Sequence, residues 1–208
     1  MLTIKEILAY TNGSLLRGDS CIEMSGVSTD TRTLKKGELF IALKGANFDG
    51  HKFLTTAAQK GAAVLLVSSK AAGAKINLPV VLCKDTTKAY SDIAGGYRNR
   101  FKLPVIAITG SVGKTTTKEL MAQVLSKRFN LLRNYQTENN EIGVSKTLLK
   151  LTSRHRAAVL EFGTNHFGEI ERLTTIGKPT IAVLTTIGDS HLEFLKDLQI
   201  LTNSSLKN

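Results

Sequence analysis

The sequence predicts an α/β fold, with a small α/β domain at residues 1–101 followed by a parallel-sheet domain with a phosphate-binding loop at residues 102–208. Short β-rich runs alternate with helical patterns over the first hundred residues, which is typical of a layered α/β domain. The pattern restarts after Pro104 with a continuous apolar, β-branched run at residues 105–109, typical of a buried parallel strand. A glycine-containing loop and a helical pattern follow this run directly.

The expected elements are short and regularly spaced. In the first domain, strands are expected at residues 38–43, 62–68 and 80–82, and helices at residues 3–10, 51–60 and 86–100. In the second domain, strands are expected at residues 105–109, 157–162 and 181–186. A helix is expected at residues 114–127, with an apolar stripe formed by Leu120, Met121, Val124 and Leu125.

Composition limits the class of protein. The 208 residues are 42% hydrophobic, enough for a sizeable core, and the two cysteines lack the spacing of a disulfide framework or a zinc site. The N-terminus has no signal-peptide pattern, and no apolar run approaches the roughly 20 residues that span a bilayer. We therefore expect a soluble, cytoplasmic protein without membrane insertion, and we expect it to be a monomer.

The charge balance is basic. Lysine and arginine outnumber aspartate and glutamate by 28 to 17, which gives a net charge of +11 and favours anionic partners. The basic residues are scattered, and aromatic residues make up only 6% of the chain, so a stacking platform for nucleic acid is not indicated. Small anionic substrates or a lysine-rich surface explain the charge equally well.

The strongest motif is Thr-Gly-Ser-Val-Gly-Lys-Thr-Thr-Thr at residues 109–117, between an expected strand and an expected helix. Glycines let backbone N–H groups form a nest around phosphate oxygens, and the helix N-terminus adds positive potential there. Lys114 would place an ammonium on the terminal phosphates, and the Thr115 hydroxyl would bind Mg²⁺. We therefore expect ATP and Mg²⁺ to be bound by Gly110, Ser111, Gly113, Lys114, Thr115 and Thr116.

The loop departs from the general P-loop pattern at one position. That pattern places glycine at position 108, where this sequence has Ile108, so the loop is a variant of its class. The alternative interpretation is a glycine-containing strand-to-helix turn with a surface lysine.

Two further polar residues lie at or after the ends of apolar strands, where ligands gather in open α/β sheets. Glu161 lies near the end of the run at residues 157–162, and His191 follows the run at residues 181–186. A carboxylate and an imidazole would complete a metal site with Thr115 or orient a phosphate. With Lys114, they are the expected catalytic residues. Taken singly, such a glutamate is more often a solvated strand-end carboxylate and such a histidine a hydrogen-bonded loop residue; their coincidence with the phosphate loop favours the functional interpretation.

These residues resemble the Mur ligase family, whose central domain carries a Thr-Gly-x-x-Gly-Lys-Thr-Thr loop, a strand-end glutamate and a histidine followed by leucine. Further matching runs lie at residues 27–32, 37–43, 49–53, 139–143, 161–166 and 168–170. Within the family, Asn-Asn-Glu-Ile-Gly at residues 139–143 with Asn-His-x-Gly-Glu-Ile at residues 165–170 is similar to the ligases that add D-alanyl-D-alanine to UDP-N-acetylmuramoyl-tripeptide.

The resemblance implies that the first domain binds the UDP end of the precursor and that the second binds ATP. It places Ser28, Asp30 and Arg32 near the nucleotide or diphosphate of the precursor, and Asn139 and Asn140 near its muramoyl part or near ATP. Without the resemblance, residues 29–32 would be interpreted as a capped turn, and the two asparagines as a polar turn.

The family's reaction, carried over by resemblance, is ATP-driven amide formation. The precursor carboxylate is phosphorylated, and the amine of D-alanyl-D-alanine attacks the acyl phosphate. Lys114 and Mg²⁺ would neutralise charge during phosphoryl transfer. Thr115, Glu161 and His191 would belong to the metal shell.

Family members continue for about as long again, with the rest of the ATP domain and a domain that helps to bind D-alanyl-D-alanine. The second domain is therefore expected to be incomplete, and the chain to be inactive alone. Two alternatives stay open: a non-catalytic truncated remnant that binds the UDP-precursor or nucleotide, and another P-loop NTPase.

Overall fold

The computed structural model describes residues 1–45, 47–136, 138–164 and 166–188, in two compact units. The first unit comprises Met1–Ile93, and the second begins at Ala94. The division falls within a helix, so the boundary expected between residues 101 and 102 stays a prediction. The α/β fold class is confirmed, because both units combine helices with parallel strands. Within the described ranges, no helix has the length and apolar character to cross a membrane.

The first unit is built on a mostly parallel sheet. Its strands are β1 (Leu2–Thr3), β2 (Ser14–Arg17), β3 (Glu23–Met24), β4 (Val27–Ser28), β5 (Leu39–Ile41), β6 (Val64–Val67) and β7 (Val80–Leu82). Its helices are α1 (Ile4–Thr11), α2 (Leu54–Gln59), which follows a 3₁₀ turn at Gly50–Phe53, α3 (Lys70–Ala74) and the first part of α4 (Thr86–Arg98). The described strands of the main sheet have the order β2-β7-β6-β5-β4, with only β2 antiparallel to its neighbour, and β1 pairs with β3.

The central strands of this sheet are buried on both faces, as their uninterrupted apolar sequences predict. Each residue of β5 and β6 is buried. On one face, Phe40 and Leu65 share a cluster with Leu54 and Ala57 of α2. The pattern that predicted a helix at residues 51–60 therefore corresponds to the 3₁₀ turn and α2 together.

The second unit is a parallel sheet with helices on both faces. Its elements in chain order are β8 (Val105–Thr109), α5 (Lys114–Leu125), β9 (Leu131–Arg133), α6 (Glu141–Leu148), β10 (Ala157–Glu161), α7 (Glu169–Gly177) and β11 (Ile181–Leu184). The described strands have the order β11-β8-β10-β9, and each pair is parallel. β8, which leads into the phosphate loop, therefore lies between β10 and β11.

Side chains of β8 alternate between two cores, because successive residues of a strand point to opposite faces. Val105 and Ala107 belong to the cluster that contains apolar residues of α6 and α7, among them Leu148. Ile106 and Ile108 belong to the cluster against which α5 packs. The phosphate loop is thus carried by a strand that is fixed from both sides.

The predicted apolar stripe of α5 is only half right. Met121 and Leu125 pack against the core, but Leu120 is 59% exposed and Val124 is 71% exposed. The buried side of the helix runs instead through Lys118 and Ala122, because residues four apart share one face. A lysine therefore occupies a position that apolarity alone did not identify.

One buried arginine ties the start of β8 to the end of α7. The Arg98 guanidinium is almost wholly buried and donates to the carbonyl oxygens of Gly177 at 3.0 Å, Phe101 at 2.7 Å, and Leu103 and Lys178 at 3.3 Å. Burial lowers the pKa of Arg98. This side chain satisfies carbonyls that no helix or strand pairs.

Replacing Arg98 with methionine should lower the free energy of unfolding by about 3 kcal/mol, because buried carbonyls lose a charged donor. Arg154→Met, at an exposed position of the same unit, should change it by less than about 0.5 kcal/mol. Urea unfolding followed by circular dichroism measures both. Equal stabilities for the two variants would contradict the role given to Arg98.

Candidate functional site

The phosphate loop has a backbone shape that requires glycine. Gly110 has φ of 136° and Gly113 has φ of 86°, both in the left-handed region. A Cβ on Gly110 would lie 2.3 Å from Thr185 Oγ1 and 2.8 Å from Thr186 O, so no larger residue fits there. Gly113 caps α5 without any side-chain hydrogen bond, which leaves the first N–H groups of the helix available to an anion.

Lys114 lies folded over this loop. Its Nζ donates to Gly110 O at 2.7 Å and to Ser111 O at 3.1 Å, which holds the ammonium beside the loop backbone. Thr115 and Thr116 follow in the first turn of α5, and both are exposed. The expected nucleotide-binding residues are therefore contiguous at one helix N-terminus, and the nucleotide they were expected to bind stays a prediction.

The segment after β11 braces the loop from the other side. Ser111 N donates to Thr186 O at 2.8 Å, and Ser111 Oγ donates to Gly188 O at 2.9 Å. Thr185 Oγ1 donates to Val112 O at 2.6 Å. His191, expected three residues further on, lies outside the described residues, so its role in catalysis and metal binding stays a prediction.

Glu161 ends β10 on the strand next to β8. Its Cα is in register with that of Ile108, and the N–H of Phe162 donates to Ile108 O at 2.8 Å. The side chain is 1% exposed, which rules out the solvated carboxylate that the sequence also allowed. The strand partner of Glu161 therefore lies two residues before Gly110, the first glycine of the phosphate loop.

The two oxygens of this carboxylate have different surroundings. Oε1 accepts a hydrogen bond from Asn139 Nδ2 at 2.8 Å. Oε2 is buried and accepts none from any group in the described part of the chain. Since a buried carboxylate oxygen without a donor is costly, Oε2 fits a cation as its partner.

The donor set suits Mg²⁺ together with a nucleotide. Among the described residues, no three His, Cys, Asp or Glu side chains cluster closely enough to hold a metal ion by themselves. Mg²⁺ takes oxygen ligands and is usually held by one or two carboxylates, with phosphates and waters completing its shell. Glu161 with the hydroxyl of Thr115 matches that pattern, with no second carboxylate required.

The sequence did not identify two residues that surround Glu161. Lys118 has a fully buried side chain, and its Nζ lies 3.7 Å from Glu161 Oε2. Asn134 is also fully buried, and its carboxamide pairs with the backbone of Glu161: Nδ2 donates to Glu161 O at 3.0 Å, and Oδ1 accepts from Glu161 N at 2.9 Å. The features that could have pointed to them are the position of Lys118 on the buried face of α5 and a polar residue, Asn134, directly after β9.

The two predicted asparagines have different environments. Asn139 contacts the Glu161 carboxylate, and Gly163 leaves room for it, since a Cβ there would lie 2.6 Å from the Asn139 carboxamide carbon. The Asn140 side chain caps α6 by accepting from Gly143 N at 2.9 Å. A cavity beside them, of about 240 Å³, is lined by residues that include Asn140, Glu141, Gly163, Phe167 and Arg172. The substrate role of both asparagines stays a prediction.

The predicted precursor site in the first unit is a capped turn beside a cavity. Ser28 Oγ donates to Asp30 O at 3.0 Å, and Asp30 accepts from the backbone N–H of Arg32 at 2.8 Å. The Arg32 guanidinium pairs with the Asp30 carboxylate through Nε and Nη2, the latter at 2.6 Å. The capped turn is thus present, and the binding role of the three residues stays a prediction.

The cavity beside this turn has a mixed lining. Its volume is about 510 Å³, and residues 29–32 form its polar side. Its apolar side includes Phe48 and Phe53, whose rings stack with centroids 5.9 Å apart. A ligand that combines an aromatic ring with a charged group suits such a lining.

Comparison with known proteins identifies matches in both units. The model of the Mur ligase middle domain matches residues 108–207, and the model described as the Mur ligase family, catalytic domain, matches residues 23–98. The UDP-N-acetylmuramoyl-tripeptide–D-alanyl-D-alanine ligase of Synechocystis is 44% identical over 174 residues, which are 84% of this chain and 38% of that protein. The enzyme of the same name from Escherichia coli is 41% identical over 92% of this chain and 41% of its own length.

Solved structures agree with the sequence matches. MurF from Acinetobacter baumannii superposes with a TM-score of 0.89 at 31% identity, over 98% of this chain and 45% of that one. MurF ligase from Thermotoga maritima in complex with ADP gives a TM-score of 0.79 at 27% identity, over 87% of this chain and 42% of that one. This chain spans less than half the length of these relatives. Sequence, fold and site thus lead to one conclusion: the chain belongs to the Mur ligase family.

Proposed function

We propose that this chain supplies the precursor-binding domain and the core of the ATP site of a ligase that adds D-alanyl-D-alanine to UDP-N-acetylmuramoyl-tripeptide. The observation that supports this most strongly is a phosphate loop that leads into a helix without a side-chain cap, next to a strand that ends in a buried carboxylate, Glu161. The similar relatives from Synechocystis and Escherichia coli carry the name of this reaction. The expected cytoplasmic location and monomeric state stay predictions.

The nucleotide end of the site follows from the loop geometry. N–H groups at the start of α5 bind phosphate oxygens, and the helix dipole adds favourable potential there. Lys114 exchanges its contacts with Gly110 O and Ser111 O for oxygens of the terminal phosphate. Such an exchange is inexpensive, since the ammonium keeps hydrogen bonds throughout.

Glu161 Oε2 and the Thr115 hydroxyl are the described groups that would hold Mg²⁺ beside the phosphates. When bound, Mg²⁺ supplies charge neutralisation on the phosphoryl oxygens. Asn139 keeps Oε1 occupied, so that Oε2 is the oxygen directed at the cation. His191 is proposed as a further ligand from the resemblance alone.

Phosphoryl transfer makes the precursor's terminal carboxylate reactive. A carboxylate oxygen attacks the γ-phosphorus, the bond to the bridging oxygen breaks, and ADP leaves with the electron pair. The amine of D-alanyl-D-alanine then attacks the acyl carbon, expels inorganic phosphate and loses a proton to give the amide. Lys114 contributes positive charge and position during the first step, where catalysis depends mainly on both.

The first unit would bind the UDP end of the precursor. Its cavity combines the stacked rings of Phe48 and Phe53, which suit a uracil ring, with the exposed guanidinium of Arg32, which suits a diphosphate.

Calorimetry with UDP-N-acetylmuramoyl-tripeptide tests this assignment. Binding of the precursor would support a ligase or its non-catalytic remnant, and ATP hydrolysis without precursor binding would support another P-loop NTPase. Turnover with D-alanyl-D-alanine by the isolated chain would rule out the non-catalytic remnant and would contradict the expectation that the chain is inactive alone.

Lys114→Ala should weaken the binding of Mg²⁺·ATP at least about tenfold, since a charge-assisted hydrogen bond contributes about 1.5–3 kcal/mol. Lys127→Ala, an exposed lysine just beyond the other end of α5, is the matched control and should bind as the unaltered chain does. Calorimetric titration measures the affinity of the unaltered chain and of both variants. Indistinguishable affinities for Lys114→Ala and the control would remove the nucleotide site.

The Asp30 carboxylate should titrate well below its ordinary range. Hydrogen bonds from the Arg32 side chain and backbone lower the pKa of Asp30 to about 2. The ordinary pKa of an aspartate is 3.8, so the ionised turn adds stability above that pH and loses the contribution as pH falls through about 2. Carboxyl ¹³C NMR should show the low midpoint, and Arg32→Gln should raise it. Lys35→Gln, an exposed neighbour, should leave it unchanged; an unmoved midpoint in Arg32→Gln would refute this cause.

A further inference from the structure

We propose that Lys118 is a positioning residue that keeps the Glu161 carboxylate aimed at the metal ion, although it is itself neither a metal ligand nor a phosphate ligand. This inference rests on the proposed function, because it assumes that Glu161 Oε2 binds Mg²⁺. It begins from a fully buried ammonium beside a buried carboxylate oxygen that lacks a hydrogen-bond donor.

The Lys118 ammonium makes its hydrogen bonds to backbone carbonyl oxygens and not to Glu161. Nζ donates to Gln136 O at 2.9 Å and to Asn134 O at 3.1 Å. It also lies 3.2 Å from Glu119 Oε1. Because Glu161 Oε2 lies 3.7 Å from Nζ, beyond hydrogen-bond distance, it receives charge compensation without a hydrogen bond. That oxygen keeps its lone pairs for a cation.

Charge compensation matters here because both partners are out of water. The side chains of Lys118 and Glu161 are 0% and 1% exposed. An isolated buried carboxylate is strongly unfavourable, and a nearby opposite charge offsets that cost. Lys118 therefore offsets the cost of burying the Glu161 carboxylate.

Lys118 also fixes the groups that orient Glu161. Its two carbonyl acceptors, at residues 134 and 136, belong to the turn after β9. The Asn134 carboxamide in this turn pairs with the backbone of Glu161 and also donates to Glu138 O at 2.8 Å. Loss of the ammonium would release the turn and the strand end together.

A cation beside a metal site also repels the metal ion, and this effect opposes the one proposed. Two carbonyl oxygens accept hydrogen bonds from the Lys118 ammonium, and the Glu119 carboxylate lies 3.2 Å from it, so its charge is partly neutralised. Asn139 is the side chain that still donates to the carboxylate once the lysine is lost. We therefore expect the loss of orientation to exceed the relief of repulsion.

The test measures how much Mg²⁺ strengthens nucleotide binding. ADP affinity is determined by calorimetry in EDTA and in Mg²⁺ for the unaltered chain, Lys118→Met and Glu161→Gln. Lys118→Met should reduce the Mg²⁺-dependent gain about tenfold or more, the usual effect of removing a group that orients a metal ligand. Its affinity in EDTA should stay within about twofold, since the contacts that the structure shows for Lys118 Nζ are to groups outside the phosphate loop.

The matched control is Lys146→Met. Lys146, on α6, forms an ion pair at 2.5 Å with Glu138, the residue whose carbonyl accepts from Asn134, but the Lys146 side chain is 53% exposed. This variant should keep the full Mg²⁺-dependent gain. An unchanged or larger gain in Lys118→Met, with a reduced gain in Glu161→Gln, would overturn the proposal for Lys118 alone. An unchanged gain in Glu161→Gln would overturn the metal role of Glu161 and this inference with it.

Thermal unfolding covers the case in which Lys118→Met folds poorly. If Lys118 compensates the Glu161 charge, the double variant Lys118→Met/Glu161→Gln should be more stable than Lys118→Met, because both buried charges are then removed. A double variant whose destabilisation equals the sum of the two single losses would contradict the compensation. If neither Lys118→Met nor the double variant folds, the compensation is also contradicted, because the lysine would then be needed only for packing of the core.

Discussion

The site depends on the parallel register of β8 with both of its neighbours. Glu161 is in register with Ile108, and Leu184 with Thr109, so three strands end at one edge of the sheet within one or two residues. Strands that alternate with helices on both faces are held in this register by their apolar side chains. That register brings the phosphate loop, the carboxylate and the bracing segment at residues 185–188 to one edge of the sheet.

Beneath this edge lies a polar network that the apolar core surrounds. Lys118, Asn134 and Glu161 are all buried, and their contacts join α5, the turn after β9 and the end of β10. Such networks are costly unless nearly every group has a partner. Here Glu161 Oε2 is without a hydrogen bond among the described residues, and Glu161 is in register with Ile108, just before the phosphate loop. A cation bound with a nucleotide would supply the partner.

Much of this arrangement could be predicted from the sequence, for a physical reason. A continuous apolar run that ends in a polar residue, as at Glu161, marks both a buried strand and the edge where ligands bind. The roles of Lys118 and Asn134 could not be predicted in this way, because they arise from contacts between elements far apart in sequence. The same limit explains Leu120 and Val124, whose apolarity did not reveal that they face outward. Two-residue strands such as β1 and β3 are too short for any periodicity, and α6 and α7 were missed as well.

The central claim is that the phosphate loop and Glu161 share one metal-bound nucleotide. Paramagnetic relaxation tests it directly, with Mn²⁺ in place of Mg²⁺, ADP present, and the amides of residues 113–116 and the Glu161 carboxyl carbon observed by NMR. The account predicts strong broadening of both sets of resonances, reversed by EDTA. Broadening of the loop amides with an unaffected Glu161 carboxyl would contradict it.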